Sequence, residues 1–233
     1  MPIRDCALGV VMAPMADIAG ECHRRISGGR AMLDGILRKA IDPVVNRWGQ
    51  RLAQAGVGAN TITLVGLGLG LIAAALIAAG APGWLALVPL LAGRVADGLD
   101  GAVARVTQAS DFGGYLDIAC DFLVYGAIPL AFVLRDTDAN GAAGAFLLCS
   151  FYVNGATFLG FAILAAKRGM ETRARGEKSL YFTAGLLEGA ETIALFTAFC
   201  LWPSAFAPLS WGFGALCFVT ALSRVLLARR IFT

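Results

Sequence analysis

The stretch RVADGLDGAVARVTQASDFGGYLDIACDF, residues 94–122, decides how this chain folds. It carries Asp97, Asp100, Asp117 and Asp121 within segments otherwise apolar enough for lipid. Carboxylates in such a setting are costly and ask for a partner or a function. On helices, Asp97 and Asp100 are three residues apart and Asp117 and Asp121 four apart, so each pair shares a face. The connection from Val106 to Phe112 is short, so the two helices fold back as antiparallel neighbours. Asp97 and Asp100 lie eight and five residues before Arg105, and Asp117 and Asp121 four and eight after Gly113. Folding back sets Asp100 near Asp117 and Asp97 near Asp121. A helical rise of about 1.5 Å per residue puts all four about 6–12 Å from the hairpin end.

Composition gives the class around this hairpin. The chain has 233 residues, 58% of them hydrophobic, with a mean hydropathy of +0.72. Those values indicate a polytopic membrane protein. Six apolar segments, at about 60–80, 83–105, 113–134, 141–166, 180–202 and 205–228, each approach the length that crosses a bilayer as a helix. Helices are the form that satisfies the backbone in lipid. Gly66/Gly70 and Gly185/Gly189 are GxxxG pairs that permit close helix contact, although chance alone yields such pairs in a chain with 29 glycines.

Basic residues set the orientation. The tail carries Arg4, Arg24, Arg25, Arg30, Arg38, Lys39, Arg47 and Arg51, and the fourth connection carries Lys167, Arg168, Arg173, Arg175 and Lys178. Arg229 and Arg230 follow the last span, whereas the opposite side holds Arg135 beside Asp136 and Asp138. Both termini and the aspartate hairpin are therefore expected in the cytoplasm. Residues 30–56 read as an amphipathic surface helix, with Leu33, Ile36, Leu37, Ile41, Val44, Val45, Trp48 and Leu52 on one face. Packing of that face on the protein itself is the alternative. Pro43 kinks or divides this helix. Residues 1–29 read as a mobile tail, since Ala7 to Met15 is short for a signal peptide and is broken by Pro14. The expected organisation is thus 1–29 tail, 30–56 surface helix and 57–230 six-helix catalytic domain, all-α throughout.

The single histidine, His23, excludes most zinc-hydrolase arrangements. Six cysteines without a CxxC pair read as small apolar fillers. Four adjacent carboxylates repel one another and relax by protonation or by binding cations. Hard oxygen ligands favour Mg²⁺, Mn²⁺ or Ca²⁺, and a paired-metal site would clamp a diphosphate. The competing reading is an ion-pair cluster with Arg94, Arg105 or Arg224. Gly98, Gly101, Ala102, Ala104, Gly113 and Gly114 strip bulk from around the aspartates, which suits close approach of a nucleotide.

Residues 97–121 resemble the signature of the CDP-alcohol phosphatidyltransferases (class I). The family pattern is Asp-x2-Asp-Gly-x2-Ala-Arg, a spacer, then Gly-x3-Asp-x3-Asp. Asp97, Asp100, Gly101, Ala104, Arg105, Gly113, Asp117 and Asp121 match its eight defined positions. The spacer is seven residues here, where the family has eight. The resemblance implies that Asp97, Asp100, Asp117 and Asp121 bind two divalent ions, Mg²⁺ or Mn²⁺, and that Asp121 is also the general base. It implies that Gly101, Ala104, Arg105, Ser110 and Gly113, with Asn60 and Thr63 of the segment opening the first span, form the CDP site. A helix cap is the other role open to the Asn60–Thr63 segment.

The implied activity is transfer of a phosphatidyl group from a CDP-linked lipid to a small alcohol, with release of CMP, in phospholipid synthesis. The family resemblance also implies a homodimer; no nucleic-acid partner is expected. Arg173, Arg175 and Lys178 suit a phosphorylated acceptor or serve only as cytoplasmic charge. Glu188 and Glu191 pair with Arg224 or bind an acceptor amine or hydroxyl. The rival classes are a cation transporter and a non-catalytic membrane scaffold. The aspartates lie near one membrane face with no charged path beyond them, which disfavours transport.

Overall fold

The computed structural model describes residues 44–168 and 189–233. The expectations for residues 1–43 and for Arg173, Arg175, Lys178, Gly185 and Glu188 lie outside the described residues. Within them the protein is helical, with no strand. Residues 44–54 form α1. Then come α2 (Ala59–Ala78), α3 (Gly83–Val106), α4 (Asp111–Arg135), α5 (Thr137–Lys167), α6 (Gly189–Leu201) and α7 (Phe206–Phe232), the last preceded by a 3-10 turn at Pro203–Ala205.

Among the described residues, the apolar runs become helices nearly where hydropathy places them. Four are long and apolar enough to cross a membrane: Ala59–Ala78, Asp111–Arg135, Thr137–Lys167 and the stretch Pro203–Phe232. The described part of α6 is a shorter apolar helix. Helix α3 has comparable length, but it carries Arg94, Asp97, Asp100 and Arg105. Pro89 and Pro129 sit inside α3 and α4 without ending either helix.

Helix α2 packs on α3 and α4, α5 packs on α7 and α4, and α6 meets α3. Small residues make the first of these contacts possible. A Cβ on Gly66 would lie 3.3 Å from the Gly93 carbonyl oxygen, and one on Gly70 only 2.7 Å from Val124 Cγ2. The Gly66/Gly70 pair therefore serves two helices, α3 and α4, rather than one. Away from the aspartates, Phe132, Phe196, Phe199 and Phe206 join Leu147, Ile77 and Leu90 in the buried core. Phe132 stacks on Phe206 at 5.0 Å and meets Phe199 edge-on at 5.4 Å. Offset and edge-on aromatic pairs of this kind hold helices together beyond simple area burial.

Helix α1 packs partly on the protein. Gly49 rests so closely on α3 that a Cβ there would lie 2.6 Å from Ala102 Cβ, and Leu52 and Ala53 join a second cluster with Ile62, Ala96 and Val103. Val44 and Trp48 of the same helix stay about half exposed, at 54% and 51%, and Arg51 lies over the Trp48 ring at 5.1 Å. The described cysteines Cys120, Cys149, Cys200 and Cys217 are free, and all but Cys149 are buried.

Candidate active site

The α3–α4 hairpin is closed by the loop 107–110, and its geometry follows from local sequence. Thr107 bonds back to the Val103 carbonyl at 3.0 Å. Ser110 is the N-cap of α4, its Oγ accepting from Gly113 N at 3.0 Å. A serine cap satisfies one of the orphan amides at a helix start. Both helices then pack on α2, which sets the second half of α3 and the first half of α4 around one cleft.

One oxygen each from Asp97, Asp117 and Asp121 lies within 4.8 Å of the other two. Asp97 therefore does reach Asp121, as the register predicts. Asp100 is 7% exposed and accepts a 2.6 Å hydrogen bond from Thr63 Oγ1 of α2. It turns toward α2 but still lines the same cleft, together with Thr63, Gly66, Leu67, Arg94, Cys120 and Val124. The cleft is narrow and partly open to the outside.

The other motif residues ring the hairpin. Arg105 is exposed, its Nη1 lies 3.5 Å from where a Gly101 Cβ would stand, and its Nη2 donates to Asn46 of α1 at 3.0 Å. Asn60 does not cap α2, since the N-cap is Gly58. Its Oδ1 instead faces Gly113, where a Cβ would come within 3.0 Å of it and 3.1 Å of Ser110 Oγ. Ala104, half-buried, lies one residue before Arg105 in the last turns of α3. Thr63 also donates to its own helix at Ala59 O, 3.1 Å away.

Of the three arginines weighed as ion-pair partners, Arg94 enters the cleft. Its Nη1 donates to Asp121 Oδ1 at 2.7 Å and lies 3.8 Å from Asp97 Oδ2. Sequence reasoning treats Arg94 only as a competitor for the aspartates, yet it is part of the site. The available signal is its spacing, three residues before Asp97 and so on the same helix face. Asn46 is a second missed neighbour, with no sequence signal to pair it with Arg105. Arg224 of α7 is occupied on α5, where its Nη1 donates to Asn154 O and Oδ1 at 3.0 Å and to Thr157 Oγ1 at 3.1 Å.

An all-carboxylate donor set suits hard divalent ions, whose bonds of about 2.0–2.6 Å put opposite ligand atoms about 4–5 Å apart. The span of the Asp97, Asp117 and Asp121 oxygens falls in that range. The residues present therefore fit Mg²⁺, Mn²⁺ or Ca²⁺.

Comparison with known proteins places the chain in a family. The CDP-alcohol phosphatidyltransferase family model matches residues 57–226. Inner membrane protein YnjF of Escherichia coli strain K12 is 43% identical over 196 residues, which is 83% of this chain and 94% of that protein. The fold is similar to the crystal structure of Mycobacterium tuberculosis phosphatidylinositol phosphate synthase (PgsA1) with CDP-DAG bound. That match has a TM-score of 0.61 at 22% identity, covering 78% of this chain and 92% of the other.

Proposed function

This chain belongs to the CDP-alcohol phosphatidyltransferase family, and from that membership we propose how its cleft carries out phosphatidyl transfer from a CDP-linked lipid to an alcohol. The observation that carries the reading is the convergence of Asp97, Asp117 and Asp121 in one cleft, with Asp100 on its wall. We assign the four as ligands for two divalent ions, Mg²⁺ or Mn²⁺. Such ions, when bound, supply Lewis-acid stabilisation to the charge developing on the diphosphate.

The chain's own groups do the rest. Asp121 accepts the proton of the acceptor hydroxyl. The hydroxyl oxygen forms the new bond to the lipid-bearing phosphorus, and the bond from that phosphorus to the bridging oxygen of CMP breaks. Gly101, Ala104 and Arg105 on α3, with Asn60, Thr63, Ser110 and Gly113 across the hairpin, hold the CDP moiety. The lack of side chains at Gly101 and Gly113 leaves room beside the Arg105 guanidinium and the Asn60 amide. Asn46 holds Arg105 from outside, which orders a long side chain before the nucleotide arrives.

We further propose six membrane spans, with α3 and the α6 segment joining the four long apolar helices. At about 1.5 Å per residue, the 24 residues of α3 reach about 36 Å, enough to cross. Both termini and the cleft then face the cytoplasm, as basic residues direct, and residues 57–230 are the catalytic unit. A homodimer and a small alcohol acceptor, plain or phosphorylated, complete the proposal.

The test is release of CMP from a CDP-linked lipid by the purified protein in liposomes, with a panel of alcohols and phosphorylated alcohols. One acceptor is expected to support CMP release that stops with chelator and returns with Mg²⁺ or Mn²⁺. Absence of CMP release with every acceptor would refute the transferase reading.

A further inference from the structure

Arg94 is the one basic side chain lining the carboxylate cleft among the described residues. It stands on α3 and reaches across to α4, with Nη1 bonded to Asp121 Oδ1 at 2.7 Å and 3.8 Å from Asp97 Oδ2. The side chain is 15% exposed. Its Nε is buried and makes no hydrogen bond, and the nearest ring, Tyr125, has its centroid 6.0 Å from Cζ. The short hydrogen bond of this guanidinium goes to Asp121, with Asp97 farther off and the Tyr125 side chain beside it. A short charge-assisted bond of this kind is strong and directional. With Nε unsatisfied, however, no bond at that nitrogen resists a swing away from Asp121.

The same carboxylate belongs to the group of three that fits a divalent ion. Two cations thus have a claim on Asp121: the fixed guanidinium and the dissolved metal. We propose that Arg94 is a positioning residue that aims Asp121 and competes with divalent cations for it, raising the metal concentration at which the cleft fills. This rests on the reading of the cleft as a divalent-cation site. A purely structural ion pair between α3 and α4 makes the opposite prediction. In that case loss of Arg94 loosens the carboxylates and weakens metal binding, whereas loss of a competitor strengthens it.

The sign of the change is measurable without turnover. The full chain is purified in detergent, checked for monodispersity, and titrated with Mn²⁺ while free Mn²⁺ is followed by electron paramagnetic resonance. Arg94→Gln is expected to tighten Mn²⁺ binding on the order of tenfold, equivalent to about 1.4 kcal/mol. Arg94→Met, which keeps side-chain length in an apolar helix, carries the same prediction and stands in if the glutamine variant is not monodisperse. Arg94→Lys retains a cation and is expected within about threefold of wild type, since one ammonium replaces the guanidinium's hold on the carboxylate. Unchanged or weaker binding in the Gln and Met variants, or an equal gain in all three variants, overturns the proposal while leaving the metal reading intact. Absence of saturable Mn²⁺ binding in the wild type overturns both.

Discussion

Asp121 meets three demands on one side chain: it lies among the oxygens that fit a metal ion, it accepts from Arg94, and it is the proposed base. With 28% of the side chain exposed, it remains within reach of an entering hydroxyl. Asp121→Asn keeps the shape but cannot take a proton. It is expected to lower CMP release at least about 100-fold, the usual scale of general-base catalysis, while the protein stays monodisperse in detergent; wild-type turnover by that variant would remove Asp121 from the base role. Asp100 calls for a different test, because its carboxylate is buried and leans on the Thr63 hydroxyl. Thr63→Val removes that donor and is expected to cost about 1.5–3 kcal/mol, as for hydrogen bonds to charged groups. Thermal unfolding in detergent reads this as a lower midpoint, and an unchanged midpoint would show that the bond contributes little. At this scale the sequence identifies the aspartates because acid in an apolar run is conspicuous. It does not reveal that Asp100 turns toward α2, since that depends on how a third helix packs. Nor does it decide between Arg94 as neighbour and Arg94 as participant, because i,i+3 spacing places the residue on the right face without saying where its guanidinium ends.

Helices set these positions, and their contacts depend on missing side chains. Gly83 begins α3 so close to α6 that any Cβ there would run into the Cys200 carbonyl. Gly83→Ala is expected to destabilise by about 1–3 kcal/mol through overpacking. Gly68→Ala meets no atom within 4 Å and is expected to leave the unfolding midpoint unchanged. Equal behaviour of the two variants in thermal unfolding would contradict the packing of α3 on α6. Helix positions were legible because long charge-free runs have few alternatives in lipid. The GxxxG pair at Gly66 and Gly70 was visible, but its partners were not: spacing marks a smooth face and leaves open which neighbours rest on it. The polar N-caps show the same limit, for Ser110 and Asp136 cap α4 and α5, whereas Asn60, an equally plausible cap by type, faces the hairpin instead.

For the whole molecule, the uneven placement of basic residues predicts one orientation. A fluorescent protein that folds only in the cytoplasm, fused after Thr233, is expected to fluoresce. A phosphatase active only outside the cytoplasm, fused after Asp138, is expected to be active. The reverse pattern would place the cleft on the wrong side for a cytoplasmic nucleotide. Family membership gives phosphatidyl transfer from a CDP-linked lipid, and Arg173, Arg175, Lys178 and Glu188, the residues weighed for the acceptor, lie outside the described residues. The claim on which the rest depends is that carboxylates from α3 and α4 together hold divalent metal. Crystals grown with Mn²⁺ and measured at the manganese absorption edge test it most directly. Anomalous density is predicted between Asp97, Asp117 and Asp121; well-ordered carboxylates with no anomalous peak between them, or manganese bound only elsewhere, would contradict it.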